Sequence, residues 1–132
     1  MNDAMPLVVV IEDDLASQKT LARVLRTGGY AAATYTSAEE FLSSPPHSPP
    51  IGLLLDVHLG GMSGLDLQRL LKEEGSVVPI ILITAFDDPR GRQQAERLGC
   101  VAYLRKPCAA ETILTLLRGL ADRDASEHSA EN

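Results

Sequence analysis

The sequence predicts an α/β fold: a five-stranded parallel sheet of order 2-1-3-4-5, with helices on both faces. Three observations carry that expectation. Five short apolar runs alternate with helix-patterned stretches along the chain, which is the signature of repeated strand–helix units. The runs Leu7–Ile11, Ile51–Leu55 and Pro79–Ile83 contain no charged residue, as strands covered on both faces require. Right-handed crossovers then leave few topologies, and 2-1-3-4-5 is one of the two common ones.

The first strand, Leu7–Ile11, is rich in β-branched residues and stops at Glu12, Asp13 and Asp14. Asp14 is the expected cap of a helix in which Leu15, Leu21, Val24 and Leu25 fall at helical spacing, and Gly28–Gly29 ends it. Tyr30 to Tyr35 reads as a weaker second strand. Ser37 then caps a short helix, with Glu40 completing a capping box and Phe41 and Leu42 as core contacts. The prolines of Pro45–Pro50 forbid regular structure and read as a stiff connector. The central strand, Ile51–Asp56, ends in a lone carboxylate. Gly60, Gly61 and Gly64 make a turn, and Leu65, Leu67, Leu70 and Leu71 pattern a third helix that stops at Gly75. Pro79–Thr84 is the fourth strand, with its proline at the tolerated first position. The helix begun by Asp87, Asp88 and Pro89 is polar and is expected to bury little beyond Ala95 and Leu98. Val101–Leu104 is a short fifth strand. A last helix from about Ala109 to Ala121 turns Ile113, Leu114, Leu117 and Leu120 inward. The expected domain is therefore 7–121, with 122–132 a polar, disordered tail.

The bulk numbers exclude several classes. A chain of 132 residues suits one core. A formal net charge of −6 argues against direct contact with nucleic acid or an anionic membrane. No stretch approaches a membrane span, and the start lacks the basic residues of a signal peptide. Cys100 and Cys108 make no disulfide framework and no zinc pattern; Cys100 is expected in the core. A cytoplasmic protein is the expectation.

In such a sheet, ligands gather outside the carboxyl ends of the strands. There the first strand delivers Glu12 and Asp13, the third Asp56, the fourth Thr84, and the fifth Lys106. Adjacent strands lie about 5 Å apart, so three carboxylates, a hydroxyl and an ammonium converge. Three acids repel one another unless a cation neutralises them, and a small hard ion such as Mg²⁺ suits oxygen ligands. Asp56 is then placed to act as a nucleophile that forms an aspartyl phosphate, with Lys106 stabilising the transferring group. Asp14 reads as a capping acid only.

With those residues assembled, the chain resembles the receiver domain of two-component response regulators, a flavodoxin-like (βα)5 fold. The motifs are Val10–Asp14 (VIEDD), Leu55–Gly64 (LDVHLGGMSG), Leu82–Ala85 (LITA) and Tyr103–Pro107 (YLRKP), in that order. The middle segment is similar to receivers that precede LuxR-type helix-turn-helix output domains. The resemblance implies that Asp56 is the phosphoacceptor. It implies that Glu12, Asp13, Asp56 and the backbone carbonyl of His58 hold Mg²⁺ or Mn²⁺. Thr84, Lys106 and the backbone of Ala85 would contact the phosphate. Thr84 and Tyr103 would form the switch, Tyr103 turning inward as Thr84 moves toward the phosphate. Lys106–Pro107 would be a cis peptide, and His58 and Phe86 would tune dephosphorylation. The implied partners are a sensor histidine kinase or phosphotransfer protein. An output domain, or a second copy of the chain, would use the face of the fourth helix, fifth strand and fifth helix.

The chain also departs from the family pattern. Gly60 stands where proline is frequent, so the loop after Asp56 is expected to be looser, and Cys108 replaces a common Phe. Two other functions compete. A degenerate, phosphate-independent interaction module is opposed by the intact set of Glu12, Asp13, Asp56, Thr84 and Lys106. An aspartyl-phosphate phosphatase commonly carries a second acid two residues after its nucleophile, where this chain has His58. No enzymatic activity beyond self-phosphorylation and autodephosphorylation at Asp56 is expected. The residues after Ala121 are too few for a DNA-binding domain, which leaves open a stand-alone receiver or the receiver of a longer regulator.

Overall fold

A computed structural model describes residues 5–131. Its five strands are β1 (Leu7–Ile11), β2 (Ala31–Tyr35), β3 (Gly52–Asp56), β4 (Ile80–Thr84) and β5 (Ala102–Arg105). They form one parallel sheet of order β2-β1-β3-β4-β5. Between and after them run α1 (Leu15–Thr27), α2 (Ala38–Ser43), α3 (Gly64–Glu73), α4 (Pro89–Arg97) and α5 (Ala110–Glu131).

Successive strand side chains point to opposite faces, and the core divides accordingly. Val9, Ile11, Leu53, Leu55, Ile80 and Leu82 pack with Ala38 and Phe41 of α2, Leu67 of α3 and Ala95 of α4. Val8, Val10, Leu54, Ile81 and Ile83 pack with Leu25 of α1 and with Ile113, Leu117 and Leu120 of α5. Two apolar faces explain why β3 and β4 read as unbroken hydrophobic runs: every one of their residues is buried. Register sets the level of the strand ends. Ile11 lies beside Leu55 and Asp56 beside Ile83, so Glu12, Asp56 and Thr84 emerge within one residue of the same height.

The caps follow the sequence signals with two differences. Asp14 accepts from the Ser17 backbone N–H at 3.0 Å, and Ser37 accepts from that of Glu40 at 3.0 Å. The Glu40 carboxylate does not close a box on Ser37. It reaches one residue further back, accepting from the Thr36 N–H at 2.7 Å. The complete reciprocal box is at α3, between Ser63 and Asp66.

Four further expectations are corrected. Leu15 is exposed, because it begins α1 beyond the sheet's carboxyl edge, where no strand lies beneath it. Leu98 and Cys100 are only half-buried, and Gly91 joins Ala95 as the buried face of α4. Ile51 precedes β3 rather than opening it, and β5 runs one residue later than read, ending at Arg105. The helix read as ending near Ala121 continues through Glu131. No Gly or Pro follows Gly119, and Arg123 and recurring Ala and Glu lie beyond Ala121, so propagation continues without a breaker. Asn132 lies outside the described residues. Among those residues, no helix is long and apolar enough to cross a membrane.

Candidate functional site

β1, β3 and β5 bring the acids and the lysine together. Ligand oxygens of Glu12, Asp13 and Asp56 all lie within 4.8 Å of one another. Glu12 and Asp56 are buried, at 1% and 8% exposure, while Asp13 is exposed. Lys106 enters just past β5, and its Nζ bonds both Glu12 Oε1 and Asp56 Oδ2, the latter at 3.1 Å. The Asp56 carboxylate is held from its other side as well: the His58 N–H donates to Oδ1 at 2.9 Å. Glu12 Oε2 accepts from the Asp14 N–H at 3.2 Å. The Lys106–Pro107 peptide bond, which sets the direction of the chain leaving this cluster, is cis.

The cluster is electrostatically crowded. Burial, and after it the neighbouring Asp56 carboxylate, raise the Glu12 pKa from 4.5 to about 7, while Lys106 and the Asp14 N–H pull it down. For Lys106, burial is the largest single influence and disfavours the ammonium. The combined pull of Glu12 and Asp56 outweighs it, and the pKa is raised. One ammonium therefore compensates two buried acids, and a third stands open to solvent.

Thr84 is fully buried at the end of β4, but its hydroxyl does not bond into the cluster. It donates to the Phe86 carbonyl at 2.9 Å and accepts from the Phe86 N–H at 3.1 Å. Ala85 follows in the loop and is exposed. Phe86, also exposed, stands edge-on to His58 with ring centroids 5.4 Å apart, so the β3–α3 and β4–α4 loops meet there. Tyr103 lies inward and buried, its hydroxyl without a hydrogen-bond partner among protein atoms. Burial raises its pKa, Asp88 adding to the effect and Arg92 and Thr84 opposing it.

Residues outside the expected set contribute. Arg92 of α4 lies over the Tyr103 ring, 4.9 Å from its centroid. Gln18 of α1 donates to the carbonyls of Glu12 at 3.2 Å and Tyr35 at 3.0 Å, tying the ends of β1 and β2. Gln68 of α3 is buried and donates to the Ala95 carbonyl of α4 at 3.0 Å, leaving its Oε1 without a protein partner. Neither glutamine had a signal in the sequence, since each reads as one more polar helix position. Cys108 is half-buried near Lys106, where burial raises its thiol pKa.

Known proteins similar to this chain share one family. The family model for the response regulator receiver domain matches residues 8–118. Response regulator protein TodT of Pseudomonas putida is 35% identical over 118 residues, covering 89% of this chain and 52% of that protein. Nodulation protein W of Bradyrhizobium diazoefficiens is 33% identical over 125 residues, covering 95% of this chain and 55% of its own. The crystal structure of a response regulator receiver protein from Burkholderia phymatum is 41% identical with a TM-score of 0.74, covering 87% of this chain and 94% of that one. The chain spans about half the length of the curated relatives it matches.

The raised Glu12 pKa has a sign that can be checked. The folded protein binds a proton at Glu12 over a pH range in which the unfolded chain has released it. The resulting stability is fully present below the ordinary carboxylate range and is lost as pH rises through about 7. In metal-free protein, urea unfolding should show stability falling between about pH 5 and about pH 8. Glu12→Gln, which cannot titrate, should flatten that fall; an unchanged pH profile would place the proton elsewhere.

Proposed function

The chain belongs to the response regulator receiver domain family, and from that premise we propose how its own residues perform phosphoacceptor signalling. The observation that carries the proposal is Lys106 Nζ bonded to both Glu12 and Asp56, with Asp13 within reach of the same point. Asp56 is the nucleophile. Its carboxylate is oriented by the His58 N–H on one oxygen and Lys106 on the other, so little reorganisation precedes attack on phosphorus.

The donor set fits a hard divalent cation: three carboxylates within 4.8 Å, with one ammonium to offset them. Glu12, Asp13, Asp56 and the His58 carbonyl would hold Mg²⁺ or Mn²⁺, which when bound neutralises the acids and stabilises charge on phosphoryl oxygens. Lys106 then serves the phosphate as well as Asp56. Thr84 and the Ala85 backbone lie one strand over and provide further donors once the Thr84 hydroxyl leaves Phe86. The phosphoryl group comes from the phosphohistidine of a sensor kinase or phosphotransfer protein, or from a small phosphodonor. Such signalling suits a cytoplasmic protein.

The message leaves through α4. This helix buries only Gly91 and Ala95, and two buried polar atoms without protein partners, Gln68 Oε1 and Tyr103 Oη, adjoin it. With so little buried, α4 is held in place by a small margin. Tyr103 is already inward while Thr84 still bonds Phe86. Phosphorylation therefore has Thr84 and α4 left to move, with the α4–β5–α5 face as the surface read by an output domain or a second copy. At the mouth, the Phe86–His58 pair restricts the approach of water to the aspartyl phosphate.

Three outcomes test this. With Mg²⁺ and a small phosphodonor, intact-mass measurement should show one phosphoryl group added to the wild type and none to Asp56→Ala; gain by the variant removes Asp56 from the role. Phe86→Ala should shorten the phosphorylated lifetime, by about tenfold if the ring contributes ~1.4 kcal/mol to the hydrolysis barrier; loss of phosphate from the wild type within seconds of donor removal contradicts the shielding. Phosphorylation should change amide exchange between Thr84 and Lys106, and Thr84→Ala should abolish that change while still accepting phosphate. An unaltered α4 in the phosphorylated wild type would refute the switch alone.

A further inference from the structure

The loop between β3 and α3 presents His58 to Asp56, yet its centre is Gly60–Gly61, a backbone with much freedom to lose. Its ends are fastened. Leu59 is buried among Ala38 and Phe41 of α2, and the Gly64 N–H donates to the Val57 carbonyl at 2.9 Å. The middle is fastened by one side chain from elsewhere in the chain. The Glu39 carboxylate accepts from the Met62 N–H at 2.8 Å, across 23 residues of sequence. It also fills the space beside Gly61: a Cβ there would lie 2.6 Å from Glu39 Oε2, and Gly61 has a φ of +74°. Glu39 itself is well anchored. It sits one residue before Glu40, whose carboxylate and N–H fix the start of α2 on Thr36 and Ser37, while Ala38 and Phe41 bury the other face. The Met62 contact holds the Glu39 carboxyl below the usual carboxylate range.

We propose that Glu39 is a positioning residue for the Asp56 site. Its carboxylate pins Gly61–Met62 and thereby keeps the His58 N–H on Asp56 Oδ1, and with it the His58 carbonyl that the proposed metal set includes. The glycine pair that makes this loop pliable is thus restrained from α2 rather than from within. The inference rests on the phosphoacceptor reading of Asp56, because the loop matters to chemistry only through that carboxylate.

The test compares wild type, Glu39→Ala and Glu39→Gln, all as the full chain. Glu39 is exposed, so the urea midpoint should hardly move. In Glu39→Ala, the Met62 amide should exchange faster and the His58 amide resonance should shift. Mg²⁺ affinity, measured by titration with the metal alone, should fall roughly tenfold, the low end of what loss of a ligand-orienting partner costs. Glu39→Gln keeps an acceptor oxygen and should recover most of that loss. Should Glu39→Ala fold poorly, Glu39→Asp, one methylene short of the Met62 N–H, should give the same signature to a smaller degree. Faster Met62 exchange with unchanged Mg²⁺ affinity and an unchanged His58 amide would overturn the inference and leave the phosphoacceptor reading intact. A wild type that neither binds Mg²⁺ nor accepts phosphate would sink both.

Discussion

Two acids buried at the end of a parallel sheet are tolerable only with a cation between them, and Lys106 is that cation. An uncompensated carboxylate in such surroundings would protonate or destabilise the fold. The Lys106 bonds to Glu12 and Asp56 couple β1, β3 and β5 at one point. In the order β2-β1-β3-β4-β5, the lysine just past β5 reaches across the end of β4 to the acids on β3 and β1. Burial, and after it the neighbouring Asp56 carboxylate, still raise the Glu12 pKa to about 7.

The sheet was legible because its physics is local and repetitive. Runs such as Leu53–Leu55 and Ile80–Ile83 are buried on both faces, so no alternation is needed to recognise them, and the strand ends then locate Asp56 and Thr84 within a residue. Helix starts were legible where a capping side chain marks them, as at Asp14 and Ser37. The extent of α5 was not, because a polar helix that continues past its packing face leaves no periodic trace. Leu15 misled for the complementary reason: helical spacing says which face a residue is on, and not whether the sheet extends beneath it.

At the site, the residues whose chemistry is distinctive were legible and those that hold them were not. Asp56, Asp13, Glu12 and Lys106 are visible because carboxylates and an ammonium at apolar strand ends need a reason. Gln18, Gln68, Arg92 and Glu39 are ordinary residues on helix surfaces. Their partners are backbone carbonyls, a backbone N–H and an aromatic face, and those partners become neighbours only once the helices are docked. Gly60 illustrates the same limit. Read alone it suggests a slack loop, whereas the structure attaches the adjoining Gly61–Met62 segment to α2.

The contrast between that loop and α4 explains how one domain can be both a stable acceptor and a responsive switch. The side proposed to do chemistry, from Glu12 through Asp56 to His58, is held by hydrogen bonds on both Asp56 oxygens and by buried strands. The side proposed to report, from Thr84 through α4 to Tyr103, is held by a hydroxyl bonded to its own loop and by a helix with two small buried residues. On the proposed reading, a phosphoryl group on Asp56 would add nearly two negative charges near Thr84 and offer acceptors that compete with the Phe86 carbonyl for its hydroxyl. The acceptor side has no cheap way to yield, so a response to phosphate would fall on the side where packing is thin. Local stability follows how much each element buries, and α4, polar and buried only at Gly91 and Ala95, is the element that would move at least cost.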